Sequence, residues 1–272
     1  MANVDDDKRF AGSIPRLYDT CLVPLIFEPY AADLVSRLQV SPSSSVLEIA
    51  AGTGVVTRTL AAELPETVAI VATDLNQAML DHAMAVGTRR PVDWRQVDAM
   101  HLPFDDESFD AVVCQFGAMF FPDRSKAFAQ ARRVLRPGGV FMFSVWDEIA
   151  ENEFADVVTS AVAAMFPEDP PRFLARTPHG YYDRQVIEQD VEQGGFSMPP
   201  QFHTVAARSR ATSPRIPAVA YCEGTPLRNE IETRDASRLE EATEVAAAAI
   251  AARFGTGAVD GKIQAHVVIA VK

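Results

Sequence analysis

The sequence predicts a doubly wound α/β fold, a mostly parallel sheet with helices on both faces, and three observations predict it. Val46, Leu47 and Ile49 form a short apolar run that breaks into a turn at Gly52 and Gly54 and reopens as a helix from about Val55, the strand–turn–helix pattern of a buried parallel strand. Five such strands alternate with helical stretches over about a hundred residues, which implies a doubly wound parallel sheet. The second and third strands end in acids, Asp74 and Asp98, at the carboxyl ends where open α/β sheets bind ligands.

Composition narrows the function class. With 48% hydrophobic residues the 272-residue chain can bury a full core, and its formal net charge of −12 opposes nucleic acid and anionic membrane surfaces. Cys21, Cys114 and Cys222 are an odd count with no metal-ligand spacing, so neither a disulfide framework nor a bound metal is expected. Met1 to Arg9 lack the apolar core of a signal peptide, and no stretch approaches the roughly 18 apolar residues of a membrane span. The expectation is a soluble, cytoplasmic monomer or homodimer acting on a small molecule. It reads as one domain: a cap over residues 1–43, a core over 44–148, a cap insertion over 149–182, and the rest of the sheet over 183–272.

In chain order, Pro15, Pro24 and Pro29 are expected to break the N-terminal stretch into short pieces, with an amphipathic helix over Tyr30 to Leu38. Val68 to Thr73 is the second strand. Asp74 lies 22 residues beyond Gly52, where a carboxylate can reach ribose hydroxyls, the alternative being that it caps the next helix. A helix over Gln77 to Val86 and a strand over Val92 to Val97 precede Asp98. A fourth strand, Phe109 to Gln115, and a helix over Arg124 to Leu135 lead to Arg136-Pro137-Gly138-Gly139, a type II turn sequence that launches a strand over Val140 to Trp146. Glu151 to Tyr182 departs from the alternation: a helix to about Met165, then a loop carrying Phe166, Phe173, His179, Tyr181 and Tyr182, read as a substrate cap. A helix over Arg184 to Gln193, a strand over Gln201 to Arg208, a helical stretch ending over Ser237 to Arg253 and a strand over Lys262 to Val271 complete the chain. Ser237 and Glu240 have capping-box spacing, and Gly255 suits the helix end.

Glu48-x-Ala50-x-Gly52-x-Gly54, Asp74, Asp98-Ala99 and Leu135-Arg136-Pro137-Gly138-Gly139, in that order, resemble the class I S-adenosylmethionine-dependent methyltransferases, particularly the ubiquinone and menaquinone C-methyltransferase group. The resemblance is densest from Val46 to Trp146. It implies a seven-stranded Rossmann-like sheet whose last strand is inserted antiparallel beside the fifth, and S-adenosylmethionine as cofactor. It further implies that Glu48, Ala50, Gly52, Thr53 and Gly54 lie beside the methionine and ribose parts. Asp74 would hold the ribose diol, and Asp98 with the Ala99 N–H would read the adenine. Leu75, Met79 and Leu102 would sandwich the adenine ring, and Gln115 and Phe116 would border the transferring methyl. Where the family has glycine this chain has Ala50, a small change if that residue keeps φ below zero.

In-line methyl transfer needs no covalent enzyme intermediate, so no nucleophile motif is expected. A base for the acceptor remains open: Tyr18, in the N-terminal cap and also beside the cofactor, and His179, the one histidine in a cap, are the candidates, with a surface-loop histidine as the alternative for His179. The acceptor is expected to be a small, apolar or aromatic molecule between Phe10, Tyr18 and Phe27 on one side and Phe166, Phe173, Tyr181 and Tyr182 on the other, above Gln115 and Trp146. Two rival functions are a dinucleotide-dependent dehydrogenase, which lacks here the third glycine of its fingerprint and gives Asp98 no role, and a non-catalytic S-adenosylmethionine-binding protein.

Overall fold

Seven strands form a single sheet in the order β3-β2-β1-β4-β5-β7-β6 in a computed structural model that describes residues 14–272. The helices and strands are α1 (Ile14–Leu17), a π-helical stretch (Tyr18–Phe27), α2 (Glu28–Ser36), β1 (Ser45–Ile49), α3 (Val55–Glu63), β2 (Ala69–Asp74), α4 (Gln77–Val86), β3 (Asp93–Gln96), β4 (Phe109–Gln115), α5 (Arg124–Val134), β5 (Leu135–Trp146), α6 (Glu153–Met165), α7 (Phe173–Arg176), α8 (Arg184–Gln193), β6 (Gln201–Ala211), α9 (Arg215–Glu223), α10 (Leu227–Asp235), α11 (Leu239–Phe254) and β7 (Val259–Val271). Strands β1 to β5 pair in parallel. β7 runs the other way against β5: Gly138 and Gly139 bond to Lys272 at one end, and Asp147 to Gln264 at the other.

The chain divides into two compact units. The sheet unit comprises Glu28–Val145, Tyr181–Val205 and Ala265–Lys272. Its core lies between one sheet face (Val46, Ile70, Ala111, Val113, Met142, Val267) and the apolar sides of α2 and α3 (Leu34, Val35, Val56, Leu60). Each fully buried side chain of this size contributes about 1.5–3 kcal/mol, which is why the two short helices hold. The helical unit comprises Trp146–Gly180, Ala206–Gln264 and the described residues up to Phe27. There α11 packs on α6 and α9, with Phe154 edge-on to Phe254 at 5.0 Å. No helix among the described residues is long and apolar enough to cross a membrane.

Four local expectations change. The prolines do not break the N-terminal stretch, which is helical from Ile14 to Ser36: Pro15 sits in the first turn, where a missing N–H costs nothing, Pro24 lies within the π-helical stretch, and Pro29 follows where that stretch passes into α2. Arg136–Gly139 do not form a turn ahead of β5. The strand begins at Leu135, opposite Phe109, and the register jumps to Ala111 opposite Val140, so these four residues face Asp110 alone. Gly138 takes φ 77° there, and Arg136 ties down to the Asp110 carboxylate at 2.5 Å. The capping box is not made: Ser237 donates to Asp235, and α11 begins after it. The 166–182 loop contains the single turn α7. Gly255 does end α11, with φ 98°.

Candidate functional site

Alternation along paired strands gathers the polar residues of the sheet unit at one place. Glu48 pairs with Ala72 and Val113, and Gln115 with Ser144. Glu48, Asp74, Gln115 and Ser144 therefore share one face at the carboxyl ends of β1, β2, β4 and β5, and the same face is apolar core further back along the strands. Such a row is costly in a core unless it meets a ligand.

Glu48 is buried and accepts a 2.5 Å hydrogen bond from the Thr57 hydroxyl of α3. Burial pushes its carboxyl up to about 8, against the Thr57 bond, and nearby Asp74 adds to the rise. Asp74 is held from two sides: Oδ2 accepts from the Gly52 N–H at 2.8 Å and Oδ1 from the Asn76 N–H at 2.7 Å. Burial raises its pKa, and these N–H groups oppose that. Oδ1 also accepts from the Asn76 side-chain amide at 3.4 Å, and Oδ2 keeps a further lone pair for a ligand donor. The two readings of Asp74 thus meet in one side chain, for it fixes the start of α4 while Asn76 makes no cap bond.

The glycine turn separates two duties. Gly52, at φ 56°, would place a Cβ 3.6 Å from the Met79 methyl, in ordinary contact. At Gly54, φ 85°, the left-handed backbone strains any side chain, and a Cβ would lie 3.0 Å from Trp94 and 3.2 Å from Ala83, so conformation and packing both favour glycine there. Between them Thr53 is buried with a hydroxyl that has no hydrogen-bond partner. Ala50 does not meet the condition of a negative φ that would make its methyl a small change: it sits at φ 56°, a left-handed conformation that costs a non-glycine residue about 1–2 kcal/mol. Phe116, at φ 52°, is strained likewise and stands edge-on to Tyr30 at 5.3 Å. Strain of this kind is held where the surroundings over-determine it, commonly at functional sites.

Leu75 is 48% exposed at the tip of β2, with Met79, Ala99 and Leu102 buried. Asp98 is half-exposed; Oδ1 accepts from the Met100 N–H at 2.9 Å and Oδ2 stands 3.6 Å from His101 Nδ1. An exposed leucine, an unpaired buried hydroxyl and two aimed carboxylates suit an adenosyl ligand with a ribose diol and an ammonium end.

Tyr18 and His179 belong to the helical unit, and the structure joins them through an aromatic chain. Tyr18 stacks on Phe27 at 5.0 Å, Phe27 meets Trp146 at 6.0 Å, and Trp146 meets His179 at 5.8 Å. His179 is not a surface-loop residue: it is 5% exposed, and burial lowers its pKa to about 4. Phe173 is buried in this unit and Phe166 lies under Arg238. Tyr181 falls in the sheet unit, where its hydroxyl donates to Asp190 and Arg124 covers its ring. Tyr182 is exposed, and Phe10 lies outside the described residues.

Residues 47–143 match the family model described as "Methyltransferase domain". A ubiquinone/menaquinone biosynthesis C-methyltransferase of Ralstonia pickettii is 31% identical over 184 residues, covering 63% of this chain and 75% of that protein. The chain is a class I S-adenosylmethionine-dependent methyltransferase. It falls with the ubiquinone/menaquinone C-methyltransferase type, and the Burkholderia mallei protein of the same name is 33% identical over 61% of this chain and 72% of its own length. The fold of the methyltransferase also superposes on Haemonchus contortus phosphoethanolamine N-methyltransferase 2 in complex with S-adenosyl-L-methionine, at TM-score 0.58 and 18% identity over 95% of this chain and 56% of that one. S-adenosylmethionine is the cofactor, and the dehydrogenase reading falls away. Sequence reasoning missed Thr57 and Ser144, whose signals are only a hydroxyl on the buried side of a helix and one inside a strand.

Proposed function

We propose that this methyltransferase methylates a small, largely apolar or aromatic acceptor by in-line displacement. Bound S-adenosylmethionine supplies an electrophilic methyl on a sulfonium, which an acceptor nucleophile displaces with loss of the positive charge. Asp74, its carboxylate already oriented by Gly52 and Asn76, accepts from the ribose diol. Asp98 and the Ala99 N–H read the adenine, which Leu75, Met79 and Leu102 enclose. Ala50, Gly52, Thr53 and Gly54 border the methionine part, and Glu48 faces its ammonium end. Gln115 and Phe116 flank the methyl.

The acceptor reading is supported by one observation: within the helical unit Tyr18, Phe27, Trp146 and His179 form an aromatic chain. Aromatic walls with few polar groups suit aromatic guests. The relatives are named for ubiquinone and menaquinone biosynthesis, which makes a quinone-related ring the first acceptor to test. The test is a panel of phenols, hydroxyquinones and other small molecules scored by release of S-adenosylhomocysteine. Turnover confined to protein or nucleic-acid acceptors sinks the assignment.

A further inference from the structure

We propose that Thr57 positions the buried Glu48 carboxyl for the ammonium end of the cofactor, and that Glu48 carries a proton in the ligand-free protein which it gives up when the ammonium arrives; this rests on the reading of Glu48 given above. Every group involved lies in the sheet unit. Glu48 is buried on β1, and Thr57, also buried, faces it from the first turn of α3. The Thr57 hydroxyl donates to Oε2 at 2.5 Å. That bond holds the carboxyl in one orientation and leaves Oε1 with no partner among the described residues. A carboxyl that served packing alone would have both oxygens occupied; this one keeps one oxygen for a ligand.

Charge decides where the proton sits. Asp74, on the neighbouring β2, is the second buried carboxyl here, and among the described residues neither it nor Glu48 pairs with a lysine, arginine or histidine. Two buried carboxylates without a cation are costly, so one of them stays neutral. Asp74 is equipped for the charge, because it accepts from two backbone N–H groups and the Asn76 amide, whereas Glu48 accepts from a single hydroxyl. The proton therefore falls to Glu48. The groups acting on it agree: burial and Asp74 favour the neutral form, Thr57 and Arg58 of α3 favour the charged one, and burial prevails, with a pKa of about 8. Cys114 of β4 adds no charge, its thiol being pushed up to about 12. A ligand ammonium at Oε1 supplies the missing cation: the Glu48 O–H bond breaks, the proton leaves to water, and the carboxylate accepts from the ammonium N–H. Binding that releases a proton strengthens as pH rises, here by about 10-fold per unit between about pH 6 and pH 8, above which the free carboxyl is already ionised.

Calorimetry of S-adenosylhomocysteine at about pH 6.5, in buffers of different ionisation enthalpy, counts the protons exchanged. Wild type is expected to release about one; Glu48→Gln, or wild type with 5′-methylthioadenosine, which lacks the ammonium, should release none. Thr57→Val should bind S-adenosylhomocysteine about 5- to 10-fold more weakly with methylthioadenosine unaffected. Because the hydroxyl favours the charged carboxylate, proton release in Thr57→Val should also persist to higher pH than in wild type, and Thr57→Ser should restore both properties. No release by wild type, or release retained in Glu48→Gln or with methylthioadenosine, overturns the proton. An unchanged affinity in Thr57→Val, an equal loss for both ligands, or no rescue by serine overturns the positioning. Glu48→Gln that binds S-adenosylhomocysteine as tightly as wild type at about pH 8 overturns the reading of Glu48 at the ammonium, and the proposal with it.

Discussion

Ala50 and Gly117 fit together as a pair at the carboxyl ends of β1 and β4: a Cβ on Gly117 would lie 2.4 Å from the Ala50 methyl and 2.8 Å from Cys114 Sγ. The methyl that Ala50 adds occupies space that Gly117 leaves. Ala50→Gly should raise stability by about 0.5–1 kcal/mol, since relief of the left-handed strain exceeds the extra freedom glycine gives the unfolded chain. Gly117→Ala should cost about 1–3 kcal/mol by overpacking. The double variant should recover part of that cost, less the residual clash with Cys114. Denaturant titration of the four proteins gives the coupling, and strictly additive values would show the pair does not interact.

Glu48 gives the ligand-free protein a pH dependence of definite sign. Its folded pKa of about 8 lies above the ordinary 4.5, so between these values the folded state holds a proton that the unfolded state has lost. The stabilisation is full below the lower value and is lost as pH rises toward the upper one, by up to about 1.4 kcal/mol per unit. Wild type should therefore lose stability relative to Glu48→Gln between about pH 5 and pH 8. His179, lowered to about 4, gives the opposite slope below about pH 6.5, but it is common to both proteins and cancels. Parallel stability curves would mean that Glu48 is ionised in the fold.

Asp74→Ala should weaken S-adenosylmethionine and S-adenosylhomocysteine by about 2–4 kcal/mol, through loss of charge-assisted bonds to the ribose. The same change frees the Gly52 and Asn76 N–H groups that the carboxylate now holds, so Asp74→Asn is the better probe of charge alone. Calorimetry that gave wild-type affinity for both variants would remove Asp74 from the ribose site.

The legible part of this protein is the part governed by local pattern. Apolar runs, the glycine turn and acids at strand tips placed β1, β2, β4, α4 and α8 almost to the residue, because in a doubly wound sheet each unit repeats the same local rule. The order of β6 and β7 depends on pairing between distant segments, and only the family resemblance supplied it. Backbone strain was not legible in the residues alone: nothing in the apolar run Val-Leu-Glu-Ile-Ala-Ala announces that Ala50 takes φ 56°. His179 read as a loop residue because its burial is made by Trp146 and α7, more than thirty and only a few residues away in the chain.

Glu230 is the clearest case of a residue invisible to pattern and central to the helical unit. It sits in the polar stretch Leu227–Asp235, yet it is buried, and its Oε2 accepts from the Arg172 and Phe173 N–H groups at 2.7 and 3.1 Å while Oε1 takes the Arg176 guanidinium at 2.8 Å. A carboxylate from α10 thereby caps the start of α7, the turn whose Leu174 carbonyl receives the His179 N–H. Glu230→Ala should cost about 2–4 kcal/mol, because it leaves two backbone N–H groups, that of Phe173 buried, and a guanidinium without their charge-assisted partner. Hydrogen exchange at Arg172 and Phe173 should quicken, and methyl transfer should fall while cofactor affinity, set by the sheet unit, holds. Unchanged exchange at those two amides would show that α7 stands without the cap, and an equal fall in cofactor affinity would show that the two units do not divide the work in this way.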